Sequence, residues 1–327
     1  MDNTLKNGST SDKNEAEELN QDFSAYKRKP GLKSVMRLYV VVFLILLVVG
    51  SIVQGWNLEI GMLITQWILI LLPAIWILTR YRVDRTSFIR LNPLKFDYIP
   101  VIILLSASFW LLNMVIAAGL VTGLTEFGYE PVVVLEPPQT FQHYLIYLLA
   151  IAVSAGICEE VLFRGTILPA IEEHGVIPAI IFSSLLFALF HGSFLNLIST
   201  FMLGAVIAVV VIKTGSLWGG VLYHMLNNFY AITYLYLVGQ QETATEVDPQ
   251  AFLGLIPLLL LGLVLAYFSL RLLHSKTKTK SLLKNQEGRW LPKGWFSGLM
   301  IVSLILFLAM AMLELAIGFG WFGINQF

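Results

Sequence analysis

The chain has 327 residues, 57% of them hydrophobic and 13% charged, and its mean hydropathy of +0.76 excludes an ordinary soluble domain. Its 21 Lys and Arg balance 21 Asp and Glu, so there is no electrostatic case for a nucleic-acid partner. The single cysteine, Cys158, rules out an intrachain disulfide and reads as a small buried apolar residue.

Residues 1–32 read as a disordered cytoplasmic tail, acidic in its middle (Glu15, Glu17, Glu18, Asp22) and basic toward its end (Lys27, Arg28, Lys29). This stretch is too polar for the apolar core of a cleavable signal peptide, and Asp2 is incompatible with myristoylation. Residues 33–327 read as one membrane domain. Nine apolar segments approach the length of about 20 residues that a helix needs to cross a bilayer. They run approximately over 36–55, 60–79, 99–122, 141–163, 177–195, 197–213, 216–238, 251–273 and 297–318. The boundary between the fifth and sixth, near Gly192-Ser193, is soft, and eight spans result if the two merge. The expected fold is therefore all-α, a polytopic transmembrane helix bundle.

Loop charges support that count. One set of loops carries Arg80, Arg82, Arg85, Arg90 and Lys95, then Arg164, then Lys213, then a basic run from Arg271 to Lys293. The alternate loops carry Glu59, Glu126, Glu130, Glu136, Glu242, Glu246 and Asp248, without Lys or Arg. This alternation places the N-terminus inside. Trp56, Trp218, Tyr236, Trp290, Trp295 and Trp321 fall near span ends, where interfacial aromatics belong.

Several polar and ionisable residues interrupt the apolar segments. Such groups are costly at membrane depth and are kept where they pair, face a cavity or do chemistry. The fourth span holds Glu159, Glu160 and Arg164. Neighbours on a helix point about 100° apart, so the two glutamates take different surroundings. Glu160 and Arg164 have the i, i+4 spacing of an ion pair with the acid first. Glu159 is left on another face, the kind of carboxylate that serves as a general base. The fifth span holds Phe187 and His191. The seventh holds His224 and Asn228, one turn apart on one face. Gln54, Asn113 and Ser199 read as hydrogen-bonding residues between helices. His143 and His274 fall at span ends, and His174 lies in a polar hairpin tip with Glu172 and Glu173.

The fourth and fifth segments form a hairpin turning near Gly175, and Glu159 and His191 stand at equal distances from it along the chain. Antiparallel helices of equal rise put them level. With His224 counted from Gly215, the group falls inside the membrane, toward the face with the basic loops.

The ordered trio Glu159-Glu160…Arg164, Phe187…His191 and His224…Asn228 resembles the motif set of the CPBP intramembrane protease family. That family includes CAAX-processing endopeptidases and bacteriocin-processing or self-immunity (Abi) proteins. The likeness covers about residues 141–238. It implies an endopeptidase that cleaves a membrane-associated protein or peptide, with Glu159 activating water. His191 would help hold the water or a metal. His224 and Asn228 would bind a metal or stabilise the oxyanion, and Glu160, Arg164 and Phe187 would support them. If one divalent metal such as zinc takes part, the ligands would be His191, His224 and Glu159, which removes Glu159 as the base. A metal-free hydrolysis is equally open on the residues and is preferred here. The expected partners are membrane lipid and a protein or peptide substrate, and the expected setting is a bacterial plasma membrane. A proton-coupled transporter and a non-catalytic immunity or scaffold protein are the alternatives.

Overall fold

The computed structural model describes residues 29–131, 135–239, 254–277 and 298–321; their regular structure is entirely helical. The long helices are α1 (Leu32–Trp56), α2 (Leu58–Arg80), α3 (Phe96–Thr125), α4 (Phe141–His174), α5 (Val176–Phe190), α6 (Leu197–Thr214), α7 (Leu217–Gly239), α8 (Ile256–Lys276) and α9 (Gly298–Gly318). Each lies on one of the expected spans. Most of the N-terminal tail, several acidic and basic loop residues (Glu242, Glu246, Asp248, Lys278 to Lys293) and Trp290 and Trp295 lie outside the described residues.

Seven of the nine are long and apolar enough to cross a membrane: α1 to α4, α6, α8 and α9. The other two depart from the expectation for different reasons. Helix α5 has 15 residues. At about 1.5 Å per residue it rises about 22 Å, short of a hydrocarbon core of about 30 Å. It stops at Phe190 because Gly192 takes a left-handed turn with φ of 63°. Helix α7 has the length, but Gly219, Gly220, His224, Asn227 and Asn228 dilute its apolar character.

Both ends of the bundle follow the charge alternation. At one end the α2–α3, α4–α5 and α6–α7 connections meet. There Arg90 pairs with Glu172 at 2.6 Å, the Leu217 amide donates to the Arg90 carbonyl at 2.8 Å, and Ser216 Oγ donates to the Asn92 carbonyl at 2.6 Å. At the opposite end His143 pairs with Glu59 at 3.0 Å and the Glu130 amide donates to the Gly318 carbonyl at 2.8 Å. One basic residue was assigned wrongly to a loop. Arg164 is inside α4 and has no exposed surface, because its guanidinium is spent on partners within the bundle.

Helices α1, α2 and α4 contain wider π turns, at Leu46–Gly50, Thr65–Leu71, Leu148–Ser154 and Phe163–Ile167. Two of these precede prolines, Pro73 and Pro169. A proline ring clashes with the carbonyl four residues before it, and widening the turn there relieves the clash without breaking the helix. Nothing in the sequence accounts for the other two.

The end of α2 closes on a left-handed arginine. The Arg82 amide donates to the Thr79 carbonyl at 3.1 Å and the Val83 amide to the Leu78 carbonyl at 3.2 Å. These two bonds close a helix end that needs a left-handed residue, normally glycine. Arg82 fills it with φ of 50°, at a cost of about 1–2 kcal/mol. Just beyond it, the Ser87 amide and the Thr86 hydroxyl donate to Asp84 and hold its carboxyl well below the usual carboxylate range.

The core lies where α1, α4, α5, α6 and α7 meet, with Tyr39, Phe43, Phe163, Phe187 and Phe190 packed together. Helix α8 stands outside it, against α3, and turns Leu260, Leu263, Val264 and Phe268 outward as a lipid-facing stripe.

Candidate functional site

Helices α4 and α7 approach closely because Gly156 has no side chain. A Cβ there would lie 2.5 Å from Met225 Cγ and 3.2 Å from the Met225 backbone nitrogen. Met225 neighbours His224, so this contact sets how α7 faces the glutamates. Glu160, fully buried, accepts at Oε1 from Arg164 Nη1 and from His224 Nδ1, both at 2.8 Å. Arg164 also donates from Nη2 to the Gly204 carbonyl at 3.0 Å and lies over the Phe187 ring, 4.5 Å from its centroid. The anticipated ion pair is therefore part of a larger unit that also fixes the ring of His224. Glu160 oxygens accept, so Nδ1 of His224 carries a hydrogen, and in the neutral ring Nε2 keeps the lone pair. His191, which caps the end of α5, is held the same way: its Nδ1 donates to the Phe187 carbonyl at 2.8 Å.

Glu159 stands apart from this unit. Its Oε1 accepts from Gln66 Nε2 at 2.8 Å, while its buried Oε2 has no partner. The π turn that contains Gln66 lies against α4. Asn228 donates from Nδ2 to the Ile151 carbonyl at 2.9 Å, inside the first π turn of α4, and accepts at Oδ1 from Asn227 at 3.2 Å. Asn228 is thus partly committed to holding α7 on α4, and Asn227 Oδ1 is buried without a partner.

Glu159, His191, His224 and Asn228 all line one cavity of about 710 Å³. Gln66 and Asn227 line it too. Neither stood out in the sequence, although each has the signal that picked out its neighbours: a polar side chain in an apolar segment. Gln54 does bridge helices, donating to Thr65 at 3.0 Å, and Asn113 reaches the Ser199 carbonyl at 3.5 Å; the Ser199 hydroxyl is buried without a partner. The cavity extends to Leu58, Leu135 and Leu235, at the end with the acidic loops. It therefore opens away from the face on which equal-rise geometry put the site. His191 is at the end of α5, not within a helix that runs on across the membrane.

Among the described residues no three His, Cys, Asp or Glu side chains gather closely enough to hold a metal ion. His191, His224 and Glu159 share a cavity but do not fit a three-ligand zinc centre as they stand. At the hairpin tip beside His174, Glu172 pairs with Arg90 and Glu173 lies 3.9 Å from Lys29.

The chemical capacity of the cavity follows from its walls. Glu159, two oriented imidazoles and Asn227 line a space whose other walls combine apolar side chains with polar ones such as Gln66, Asn113 and Ser199. That is a setting in which a polar molecule is bound and a proton moved. We expect Gln66→Leu to leave the fold intact and to lower turnover about 10- to 100-fold, as the loss of a partner that orients a reacting group does. Activity of the purified variant checks this.

Residues 141–230 match a family model, type II CAAX prenyl endopeptidase Rce1-like. No curated protein and no solved structure matches the chain. The matched stretch runs from the start of α4 into α7 and contains all three motifs.

Proposed function

We propose that this chain is an intramembrane endopeptidase that hydrolyses a peptide bond of a membrane-associated protein or peptide precursor; the match of residues 141–230 to the type II CAAX prenyl endopeptidase Rce1-like model, within a bundle of membrane-length helices, supports this. One observation carries the reading: Glu159, which lines a cavity with His191 and His224, is held by Gln66 through one oxygen and keeps the other, buried, without a partner.

In the reaction we infer, Glu159 Oε2 takes a proton from water, and the water oxygen bonds to the scissile carbonyl carbon. His191 orients that water through Nε2. The carbonyl oxygen becomes an oxyanion. His224 enters the step already protonated on both ring nitrogens, with the Glu160 carboxylate balancing its charge, and donates to the oxyanion from Nε2 without giving up that proton; the second N–H of Asn228 adds to the stabilisation. The tetrahedral intermediate then collapses. The C–N bond breaks, and the proton held by Glu159 goes to the leaving amine. Every step uses side chains of this chain, and none needs more than water and the substrate.

The test is comparative peptidomics of membranes from cells that carry either the wild-type protein or Glu159→Gln. Peptide pairs sharing one cut, present with wild type and missing with the variant, are the expected result. A variant that leaves the peptide pattern unchanged yet still complements a deletion would favour a binding or scaffold role. Proton-coupled flux in proteoliposomes without any cleavage would favour a transporter.

A further inference from the structure

On the endopeptidase reading, on which this inference rests, His191 orients the attacking water, and we propose that Glu314 of α9 positions His191 through the turn between α5 and α6. Glu314 is an ionisable residue one turn from the end of an apolar helix. A carboxylate at that depth is costly and is kept where it is paired or does work. Both of its oxygens are used on the α5–α6 turn: Oε1 accepts from the Ser193 hydroxyl at 2.8 Å and Oε2 from the Phe194 amide at 2.6 Å. The Ser193 oxygen in turn accepts from the Asn196 amide at 3.2 Å, just before α6 begins at Leu197. One carboxylate on α9 thus fixes the backbone just beyond His191.

Two further observations point the same way. Helix α5 stops at Phe190, so no following helical turn holds His191. Its ring is restrained from within α5, by the Phe187 carbonyl and by the Phe187 ring 4.8 Å away between centroids. The place of His191 in the cavity wall therefore depends on how the turn after it is held. Met310, one turn before Glu314 on α9, packs on Gly192 of that turn: a Cβ there would lie 2.7 Å from Met310 Sδ. Helix α9 so grips Gly192, Ser193 and Phe194 in succession. It is itself packed against α1 and α5, with Phe307 and Ala311 buried. The family match ends at residue 230, before α9 begins, so this support for a motif histidine comes from outside the matched stretch.

Histidine-ring NMR of the full chain in detergent, together with steady-state turnover of a cleaved peptide, tests this. The chain has five histidines, and H191Q identifies the His191 signal among them. E314L removes both acceptors. It is expected to shift the His191 ring signal, to leave that of His224 in place, and to lower kcat about 10- to 100-fold with KM within about twofold of wild type. E314Q keeps one acceptor oxygen for the Phe194 amide, and its NH₂ can donate to Ser193, so it is expected to stay within about threefold of wild type. S193A leaves α9 untouched, should the leucine variant not fold, and is expected to move the same signal and to lower kcat about 3- to 10-fold. S303A, on α9 with a hydrogen bond local to that helix, is expected to change neither. An unmoved His191 signal in E314L and S193A would overturn the inference. Equal shifts at His191 and His224 would also overturn it, in favour of a general loosening of the bundle, as would a moved signal with wild-type kcat. Cleavage that survives Glu159→Gln would instead remove the endopeptidase reading, and the His191 signal would still decide whether Glu314 holds the turn.

Discussion

Purified Glu159→Gln protein is expected to hydrolyse a cleaved peptide about 10²- to 10⁴-fold more slowly than wild type, with KM little changed. Glutamine keeps the length of the side chain, and its amide oxygen can still accept from Gln66. What it loses is the capacity of the unpartnered Oε2 to take a proton. Glu159 lies outside the buried unit of Glu160, Arg164 and His224, so thermal unfolding in detergent should stay close to wild type. The combination separates the chemical step from the fold: slow turnover with an intact transition fits a base, whereas slow turnover with a collapsed transition fits a packing residue. Full turnover in the variant would remove Glu159 from the role proposed for it. Gln66→Leu should then act in the same direction and by less, since it frees the carboxylate to rotate without abolishing it.

How much of this was legible in the sequence depends on the kind of interaction. The helices were readable because lipid demands long apolar runs with satisfied backbones, and alternate loop charges fixed which ends lie together. The i, i+4 pair Glu160–Arg164 was readable because it is local to one helix. The contact of Glu160 with His224, 64 residues away, was not. It depends on the rotation of α7 against α4, which the Gly156–Met225 approach sets and which no periodicity encodes. The π turns were equally hidden, and they matter, since one contains Gln66 and another presents the Ile151 carbonyl to Asn228. The end of α5 at Phe190 had a signal in Gly192, but the apolar residues on both sides of His191-Gly192-Ser193 carried the expected span past the turn. That earlier helix end places His191 at the tip of α5, in the cavity wall.

Helices α4, α6 and α7 are tied together through Glu160. Arg164 holds Glu160 on one side, Gly204 of α6 holds Arg164, and His224 hangs from the same Glu160 oxygen. A Cβ at Gly204 would lie 3.3 Å from Arg164 Nη2 and 3.1 Å from Ser184, so the absence of a side chain there is what lets the guanidinium reach α6. Four helices thus meet on one buried charge pair. Such a pair is weak grounds for stability in itself, because desolvation offsets much of the attraction. Its value lies in geometry, since it fixes the orientation of His224 in the cavity.

That division of labour gives the second large effect. Arg164→Met should destabilise the protein by about 3–5 kcal/mol, because it strands the Glu160 carboxylate in the core with only His224 beside it. Adding Glu160→Gln should recover most of that loss, since the stranded charge is then gone and Met and Gln fill much the same space. Activity should not recover with it. His224 would lose the carboxylate that fixes its tautomer, and the double variant is expected to remain about 10- to 100-fold below wild type. Thermal unfolding and peptide turnover, measured on both variants in one detergent, read the two consequences separately. Should the double variant regain stability and full activity together, the unit would be structural filler and His224 would not depend on Glu160. Should it regain neither, the two side chains would matter for packing alone, and the charge pair would not be what binds α4, α6 and α7 around the cavity.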